Sequence, residues 1–168
     1  MSNEQFTYFW KSHSPFSNWY MADFEIDNMR FNCSEQYMMY GKARLFNDEE
    51  IALRILKAEK PGAQKDLGRK VRNFQSAVWN EHAKDIVYRA NEAKFTQNEN
   101  LLKRLLKTKG TTLVEASPVD PIWGIGLSAE DPRSRYRMQW RGKNWLGEVL
   151  TRLRDDLIAA GLEENLDS

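Results

Sequence analysis

The sequence contains one cysteine and two histidines in 168 residues, and this scarcity excludes several kinds of site. Cys33 alone cannot form an internal disulfide, and with only His13 and His82 the chain cannot assemble an ordinary Cys/His zinc site. We therefore expect no metal and no cofactor, and we interpret Cys33 as a small packing residue. Catalysis, if present, must rest on carboxylates, amines and amides.

An excess of charge and long apolar runs are also missing. The chain has 25 Lys and Arg against 24 Asp and Glu, so its net charge gives no long-range attraction to nucleic acid or to an anionic membrane. No run approaches the roughly 18 apolar residues of a membrane span. The N-terminal residues lack the basic and apolar regions of a signal peptide. We therefore expect a cytoplasmic protein that does not bind a membrane.

Hydrophobic periodicity predicts a mainly α fold with a few short β-strands (α+β) in a single compact domain. No Pro-, Gly- or Ser-rich linker divides residues 1–168, and the acidic end, 163–168, is expected to fray. Strands are predicted at 6–10, 24–31 (as a hairpin turning at Asp27-Asn28) and 113–116. Helices are predicted to start at Ser34 and to span 47–56, 64–71, 75–95, 98–107 and a last segment after Asn144. Pro61 suits the first turn of the helix at 64–71.

Capping residues support three of these helix starts. Ser34 or Asn32 suits the start of the first helix, and Asn47 followed by Glu50 resembles a capping box. Asn144 is expected to cap the last helix.

The segment 34–42 is the most informative part of the chain. Glu35 and Lys42 lie seven residues apart, close to two helical turns, so they share one face about 10 Å apart along the axis. Met38 and Met39 could form a floor between them. An acid and an amine so placed are suited to attack an electrophilic sugar carbon, and the alternative is an ordinary solvated helix face.

The loop 117–126 is a candidate binding loop. Asp120 stands between two prolines, and Trp123 is followed by Gly124 and Gly126. Glycines let a backbone approach a ligand closely, and a Trp offers a flat face on which a base can stack. The structural alternative is a Pro/Gly-rich turn pinned by a buried Trp.

The segment 133–144 carries five basic residues among aromatics and ends at a helix N-terminus. These residues are Arg133, Arg135, Arg137, Arg141 and Lys143, followed by Asn144. Guanidinium forks and free backbone N–H groups at a helix start can hold phosphate. A solvated basic loop is the alternative, and the lack of an acid in the segment counts against it.

Taken in order, these motifs resemble the NADAR, or YbiA-like, family of N-glycosidases over nearly the whole chain. The matching residues are Phe16-Ser17-Asn18, Ser34-Glu35-Gln36-Tyr37 with Lys42, Gly68-Arg69, Trp79, Lys94-Phe95, Leu113-Val114-Glu115-Ala116-Ser117, Asp120 with Trp123-Gly124-Ile125-Gly126, and Gly142-Lys143-Asn144-Trp145-Leu146-Gly147. The resemblance implies hydrolysis of the bond between a ribose anomeric carbon and a nitrogen. Two activities belong to the family: removal of ADP-ribose from guanine in DNA, and cleavage of phosphorylated ribosylamino-pyrimidine intermediates of riboflavin synthesis.

The resemblance also implies roles for the candidate residues. Glu35 would stabilise oxocarbenium-like charge on the sugar, and Asp120 would bind ribose hydroxyls or serve as a second acid. Lys42 could attack the anomeric carbon and form a Schiff base, provided that its pKa is lowered by burial or by a cation such as Arg44 or one from the basic segment. Pairing with Glu35 would oppose this.

Four further residues are expected to contact the substrate. Trp123 and Trp79 could stack on the base, although a purely structural role is as plausible for Trp79. Ser17 and Asn18 could bond a base edge or a phosphate, and they equally fit a turn.

The basic segment favours an ADP-ribosyl group on guanine, with single-stranded DNA as the expected partner that carries it. Gln36, where the riboflavin-associated bacterial branch has His, marks a departure from that branch. The near-zero net charge points the other way and keeps the riboflavin intermediates as the alternative. A non-catalytic module that binds NAD or ADP-ribose is the rival from another class.

Overall fold

The computed structural model describes residues 3–162. The chain divides into two compact units, Asn18–Asn98, here the helical unit, and Met1–Ser17 with Glu99–Ser168, here the terminal unit. The single domain stays a prediction, and the predicted fraying of 163–168 lies outside the described residues.

Within the described residues the chain forms six α-helices and four short strands, which confirms the predicted mainly α fold class. The strands are β1 (Gln5–Phe9), β2 (Phe24–Ile26), β3 (Met29–Phe31) and β4 (Thr111–Glu115). The helices are α1 (Ser34–Leu45), α2 (Glu49–Lys57), α3 (Pro61–Gly68), α4 (Ser76–Thr96), α5 (Glu99–Leu106) and α6 (Trp145–Ala159). No helix between residues 3 and 162 is long and apolar enough to cross a membrane.

The helical unit begins with the predicted hairpin. β2 and β3 pair antiparallel, and Asp27 and Asn28 both have positive φ, 54° and 65°, which is the backbone of a tight primed turn. The inward side chains of the hairpin, including Phe24 and Phe31, pack with Tyr37 of α1 and with α4. α1 also packs against α2 and α3, so three helices and the hairpin hold it in place.

The cap of α1 differs from the prediction. Cys33 occupies the N-cap position without a side-chain bond to the helix, so neither Ser34 nor Asn32 caps it. Gln36 instead accepts a hydrogen bond from the backbone N–H of Asn32 at 2.8 Å. The side chain that fixes this start therefore comes from inside the helix.

The cap of α2 and the bounds of α3 also differ from the prediction. Asp48, not Asn47, caps α2 by accepting from the backbone N–H of Ile51 at 3.2 Å, while Asn47 takes a positive φ of 58°. α3 begins at Pro61, in the first turn as predicted, and ends at Gly68 rather than at Val71.

In the terminal unit, β1 and β4 pair in parallel, with Gln5 opposite Thr111 and Phe9 opposite Glu115. α6 packs on β4. Asn144 precedes α6 with a φ of 54°, and its side chain makes no cap. Its amide donates to the carbonyl of Leu113 and accepts from the backbone N–H of Glu115, both at 3.0 Å. The Asn144 side chain therefore bonds to the backbone of β4 instead of capping α6.

Candidate active site

Glu35 lies in the first turn of α1 and is 4% exposed. Its backbone N–H donates to the carbonyl of Asn18 at 2.9 Å. The positive end of the helix dipole favours a carboxylate at this position. The fold therefore holds a buried acid at a fixed point of the helical unit.

A chain of buried polar groups supports this end of α1. The hydroxyl of Ser34 donates to the side-chain oxygen of Asn91 at 3.3 Å, and the Asn91 amide donates to that of Asn18 at 3.3 Å. The same Asn91 amide also donates to the carbonyl of Val87 at 2.9 Å. Asn18 therefore positions Glu35 through its backbone, while its predicted contact with substrate stays a prediction.

Lys42 is half-buried and lies beside two aromatic rings of the helical unit. Its amine is 4.6 Å from the ring centre of Phe74 and 5.9 Å from that of Trp79. Burial lowers the pKa of Lys42 below the usual lysine value; attraction to Glu35 opposes that shift, and repulsion from Arg69 adds to it. A larger share of the amine is therefore neutral, as a nucleophile requires.

The cation that acts on Lys42 is not the one predicted. Arg44 forms an exposed ion pair with Glu49, whereas Arg69, just after α3, is the cation that lowers the pKa of Lys42. Met38 and Met39 are both buried, and Met39 packs so closely on Gly68 that a side chain there would collide with its sulfur.

Gln36 has a structural task. Its amide donates to the carbonyls of Ile55, Leu56 and Ala58, at 3.0, 3.3 and 3.3 Å, and so ties the start of α1 to the end of α2. These bonds account for an amide at this position without reference to substrate.

Lys94 is a buried amine that the sequence analysis did not single out as a site residue. It is 0% exposed, and burial lowers its pKa to about 7, with a smaller opposing contribution from Cys33. The rings of Tyr20 and Phe95 lie 5.5 and 4.9 Å from its amine. Burial also raises the pKa of Cys33 to about 11, so its thiol stays protonated, as a packing residue would.

A sequence signal for Lys94 did exist. Ala83, Val87 and Ala90 form the buried stripe of α4, and Lys94 follows four residues later on the same stripe. A lysine on an apolar stripe indicates a buried amine.

In the terminal unit, Asp120 shapes the loop 117–126. One carboxylate oxygen, Oδ1, accepts from the backbone N–H groups of Ile122 and Trp123, both at 2.9 Å. The Asp120 N–H donates to the hydroxyl of Ser117 at 3.1 Å. Because both bonds fall on Oδ1, the other oxygen, Oδ2, can accept from a ligand hydroxyl.

The glycines of this loop serve the packing of the chain itself. A side chain at Gly124 would lie 2.9 Å from the carbonyl oxygen of Glu115, and Gly126, with a φ of 71°, packs on Arg141. Trp123 is half-buried, and its ring meets that of Trp145 edge-on at 5.5 Å. The predicted ligand contacts of Trp123 and the two glycines stay predictions.

Acids from outside the basic segment neutralise two of its arginines. Arg133 pairs with Asp131 through two side-chain bonds, and Arg137 pairs with Glu4. The prediction that the basic segment is not neutralised was therefore wrong for these two arginines. The other three cations, Arg135, Arg141 and Lys143, are exposed.

Four backbone N–H groups at the start of α6 are already bonded, contrary to the prediction that they are free. The N–H groups of residues 143–146 donate to the carbonyls of residues 121–124 at 3.0–3.2 Å. Phosphate binding by this segment therefore depends on side chains.

Ser17 is buried, and its N–H donates to the carbonyl of Ser14 at 3.0 Å, which agrees with the turn interpretation.

Metal ligands are not grouped in the part of the chain that the structure describes: no three or more His, Cys, Asp or Glu side chains there could hold an ion together.

Comparison with known proteins places the chain in one family. Residues 8–158 match the NADAR domain. Protein irg-1 of Caenorhabditis elegans is 44% identical over 168 residues, covering 90% of this chain and 79% of that protein. N-glycosidase R617 of Acanthamoeba polyphaga mimivirus is 43% identical over 146 residues, covering 84% and 86%. Riboflavin biosynthesis protein PYRR, chloroplastic, of Zea mays is 34% identical over 113 residues, covering 65% of this chain and 16% of that protein.

The fold has a solved counterpart. The NMR structure of the E. coli protein YbiA superposes with a TM-score of 0.77 at 26% identity, covering 97% of this chain and 90% of that one. Fold and relatives together define the class as a hydrolase of N-glycosyl bonds, which confirms the predicted enzyme class. The chain belongs to the NADAR domain family.

Proposed function

We propose that this chain cleaves the bond between a ribose anomeric carbon and a nitrogen by means of Glu35 and Lys42 on α1. One observation carries the proposal: a buried carboxylate and a half-buried amine of lowered pKa stand two turns apart on a single packed helix. Groups on a rigid helix keep a fixed separation, which catalysis by two cooperating side chains needs.

The residues support a covalent route. The neutral amine of Lys42 attacks the anomeric carbon, so a C1′–Nζ bond forms as the bond to the base nitrogen breaks. The Glu35 carboxylate stabilises the positive charge on the sugar and carries a proton from Nζ to the departing nitrogen. Opening of the ribose ring gives a Schiff base, and addition of water to C1′ releases the sugar and restores Lys42.

ADP-ribose on guanine in DNA is the substrate that we favour. Exposed Arg135, Arg141 and Lys143 are cations of the kind that bind a pyrophosphate, and Asp120 Oδ2 can accept from a ribose hydroxyl. Phosphorylated ribosylamino-pyrimidines are the second candidate. The pairing of Arg133 and Arg137 with acids favours them, because fewer cations remain than the sequence suggested.

The first experiment compares both substrates. The wild type and Glu35→Ala are incubated with single-stranded DNA carrying ADP-ribosylated guanine, and separately with a ribosylaminouracil phosphate, and released products are followed by mass spectrometry. We expect the wild type to release ADP-ribose and Glu35→Ala to release none. Glu59→Ala is the control and should stay active, because Glu59 is exposed in the same unit.

The outcomes separate the alternatives. Cleavage of only the pyrimidine would assign the chain to the second candidate. Binding of ADP-ribose without any product would favour a non-catalytic binding module and refute the proposal.

Borohydride reduction during turnover tests the covalent step. A trapped Schiff base would add the mass of the reduced sugar to the peptide that contains Lys42, and Lys42→Met would abolish the adduct. Lys57→Met, which removes an exposed lysine of α2, should leave it intact. A wild-type enzyme that turns over without any adduct would leave water as the nucleophile.

A further inference from the structure

An exposed aromatic ring stands beside the Lys42 amine. Phe74 lies in the segment between α3 and α4, is 43% exposed, and places its ring centre 4.6 Å from Lys42 Nζ. Part of this phenyl group is therefore open to solvent beside the amine that we propose as the nucleophile.

An ion pair holds the backbone next to this ring. The Arg72 N–H donates to one oxygen of Asp48 at 2.9 Å, and the Arg72 guanidinium donates to both Asp48 oxygens at 3.2 and 2.7 Å. The Asp48 side chain is only 1% exposed, and it also caps α2. The segment is therefore anchored to a fixed point of the helical unit rather than left as a free loop.

The chain then turns the ring toward α1. Asn73 has a positive φ of 61°, which reverses the backbone directly after Arg72. The Phe74 ring packs edge-on against Phe46, the residue that ends α1, at 5.4 Å. Backbone and neighbouring ring together fix Phe74 before any ligand arrives.

We propose that Phe74 binds the nitrogen base of the substrate by stacking, and that Arg72 and Asp48 are positioning residues for it. The inference rests on the proposed function, because the base is bonded to the carbon that Lys42 attacks. In an attack geometry that carbon lies about 3–3.5 Å from the amine with the departing base on its far side, and the Phe74 ring centre lies 4.6 Å from the same amine. A nucleoside that lies across the amine can therefore bring its base to the exposed part of the ring. Stacking suits purines and pyrimidines alike.

The base itself provides the test. Binding of 9-methylguanine and of 6-aminouracil is measured by calorimetry, alongside ADP-ribose and ribose 5-phosphate, for the wild type and for Phe74→Ala, Phe74→Leu and Phe74→Trp. We expect Phe74→Ala and Phe74→Leu to weaken base binding about 10- to 100-fold, and Phe74→Trp to retain it. Ribose 5-phosphate should bind all variants equally, and Leu53→Ala, an exposed apolar residue of α2, is the control.

Two results of these binding measurements would overturn the proposal. If Phe74→Leu binds the bases like the wild type, the ring only covers Lys42, and if the wild type binds neither base, no base platform exists. These outcomes differ from failure of the proposed function, which is loss of turnover on both substrates despite intact base binding.

Arg72→Ala tests the positioning role. Because the Arg72 side chain is 63% exposed and Asp48 still caps α2, the fold should persist. We expect a several-fold rise in KM with little change in kcat, partly restored by Arg72→Lys. An unchanged KM would remove Arg72 from the proposal.

Discussion

The two units use the same residue types for different purposes. In the helical unit, Glu35 and Lys42 project from one helix that is packed on several sides, and the pKa of Lys42 is displaced. In the terminal unit, Asp120 and Arg133 form bonds within their own loops, and Arg137 pairs with Glu4, just before β1. Polar residues in a loop motif can thus be needed first for the shape of the loop, whereas the displaced pKa of Lys42 points to chemistry.

The largest expected effect concerns the helical unit. Lys42→Met should lower kcat about 10²- to 10⁴-fold, because no other amine replaces it on that face of α1.

In the wild type, activity should rise with pH as Lys42 loses its proton, with a midpoint below the usual lysine pKa. Arg69→Met should move this midpoint to higher pH, since the repulsion that helps to lower the pKa is removed. Rate measurements across pH check both, and an unchanged midpoint in Arg69→Met would contradict the electrostatic explanation.

Two glycine-to-alanine substitutions, one in each unit, should differ in their effect on the free energy of unfolding. A side chain at Gly142 would collide with the carbonyl of Gly124, so Gly142→Ala should cost about 1–3 kcal/mol of unfolding free energy. At Gly62 the nearest atom would be 3.9 Å away, so Gly62→Ala should be neutral or stabilise α3 by up to about 1 kcal/mol. Denaturant unfolding gives both values, and equal effects would refute the distinction.

Lys94 should make the free energy of unfolding depend on pH. Its folded pKa of about 7 lies below the value of 10.5 for an unperturbed lysine, so between these limits the unfolded chain binds the extra proton. Stability should therefore rise with pH, by up to about 1.4 kcal/mol per unit between pH 7 and 9. Cys33, whose pKa is raised to about 11, opposes this only above pH 9. Chemical unfolding at pH 7, 8 and 9 should show a steeper rise in the wild type than in Lys94→Met, where only the smaller lowering of the Lys42 pKa remains.

The smallest effects separate two arginines of the basic segment. Arg135→Ala should weaken ADP-ribose binding several-fold with unchanged stability, because Arg135 is exposed. Arg137→Ala should instead lower stability by about 0.2–1 kcal/mol through loss of its bond with Glu4. Calorimetry and thermal unfolding of both variants check this, and a loss of binding in Arg137→Ala alone would reverse the assignment.

Local patterns predicted the elements well and their partners poorly. The hairpin turn at Asp27-Asn28 and the helix that carries Glu35 and Lys42 follow from short-range chemistry. The cap of α2 does not, because Asn47 and Asp48 are equally good caps and the choice depends on Arg72, 24 residues away.

The same limit applies to the candidate site. The pairing of Arg137 with Glu4 joins residues 133 positions apart, so no local pattern reveals it. The proximity of Phe74 to Lys42 likewise comes from the way the segment after α3 is anchored. Lys94 is the exception, since its place on the stripe of α4 was visible in the sequence.

Asn144 bears on how the protein ages. Deamidation of an asparagine begins when the backbone nitrogen of the next residue attacks the side-chain carbonyl. Here that nitrogen, in Trp145, donates to the carbonyl of Ile122 at 3.1 Å, and the Asn144 amide is engaged on both sides by β4. The bonds that join strand, loop and helix thus also shield the asparagine from spontaneous chemical damage for as long as the terminal unit stays folded.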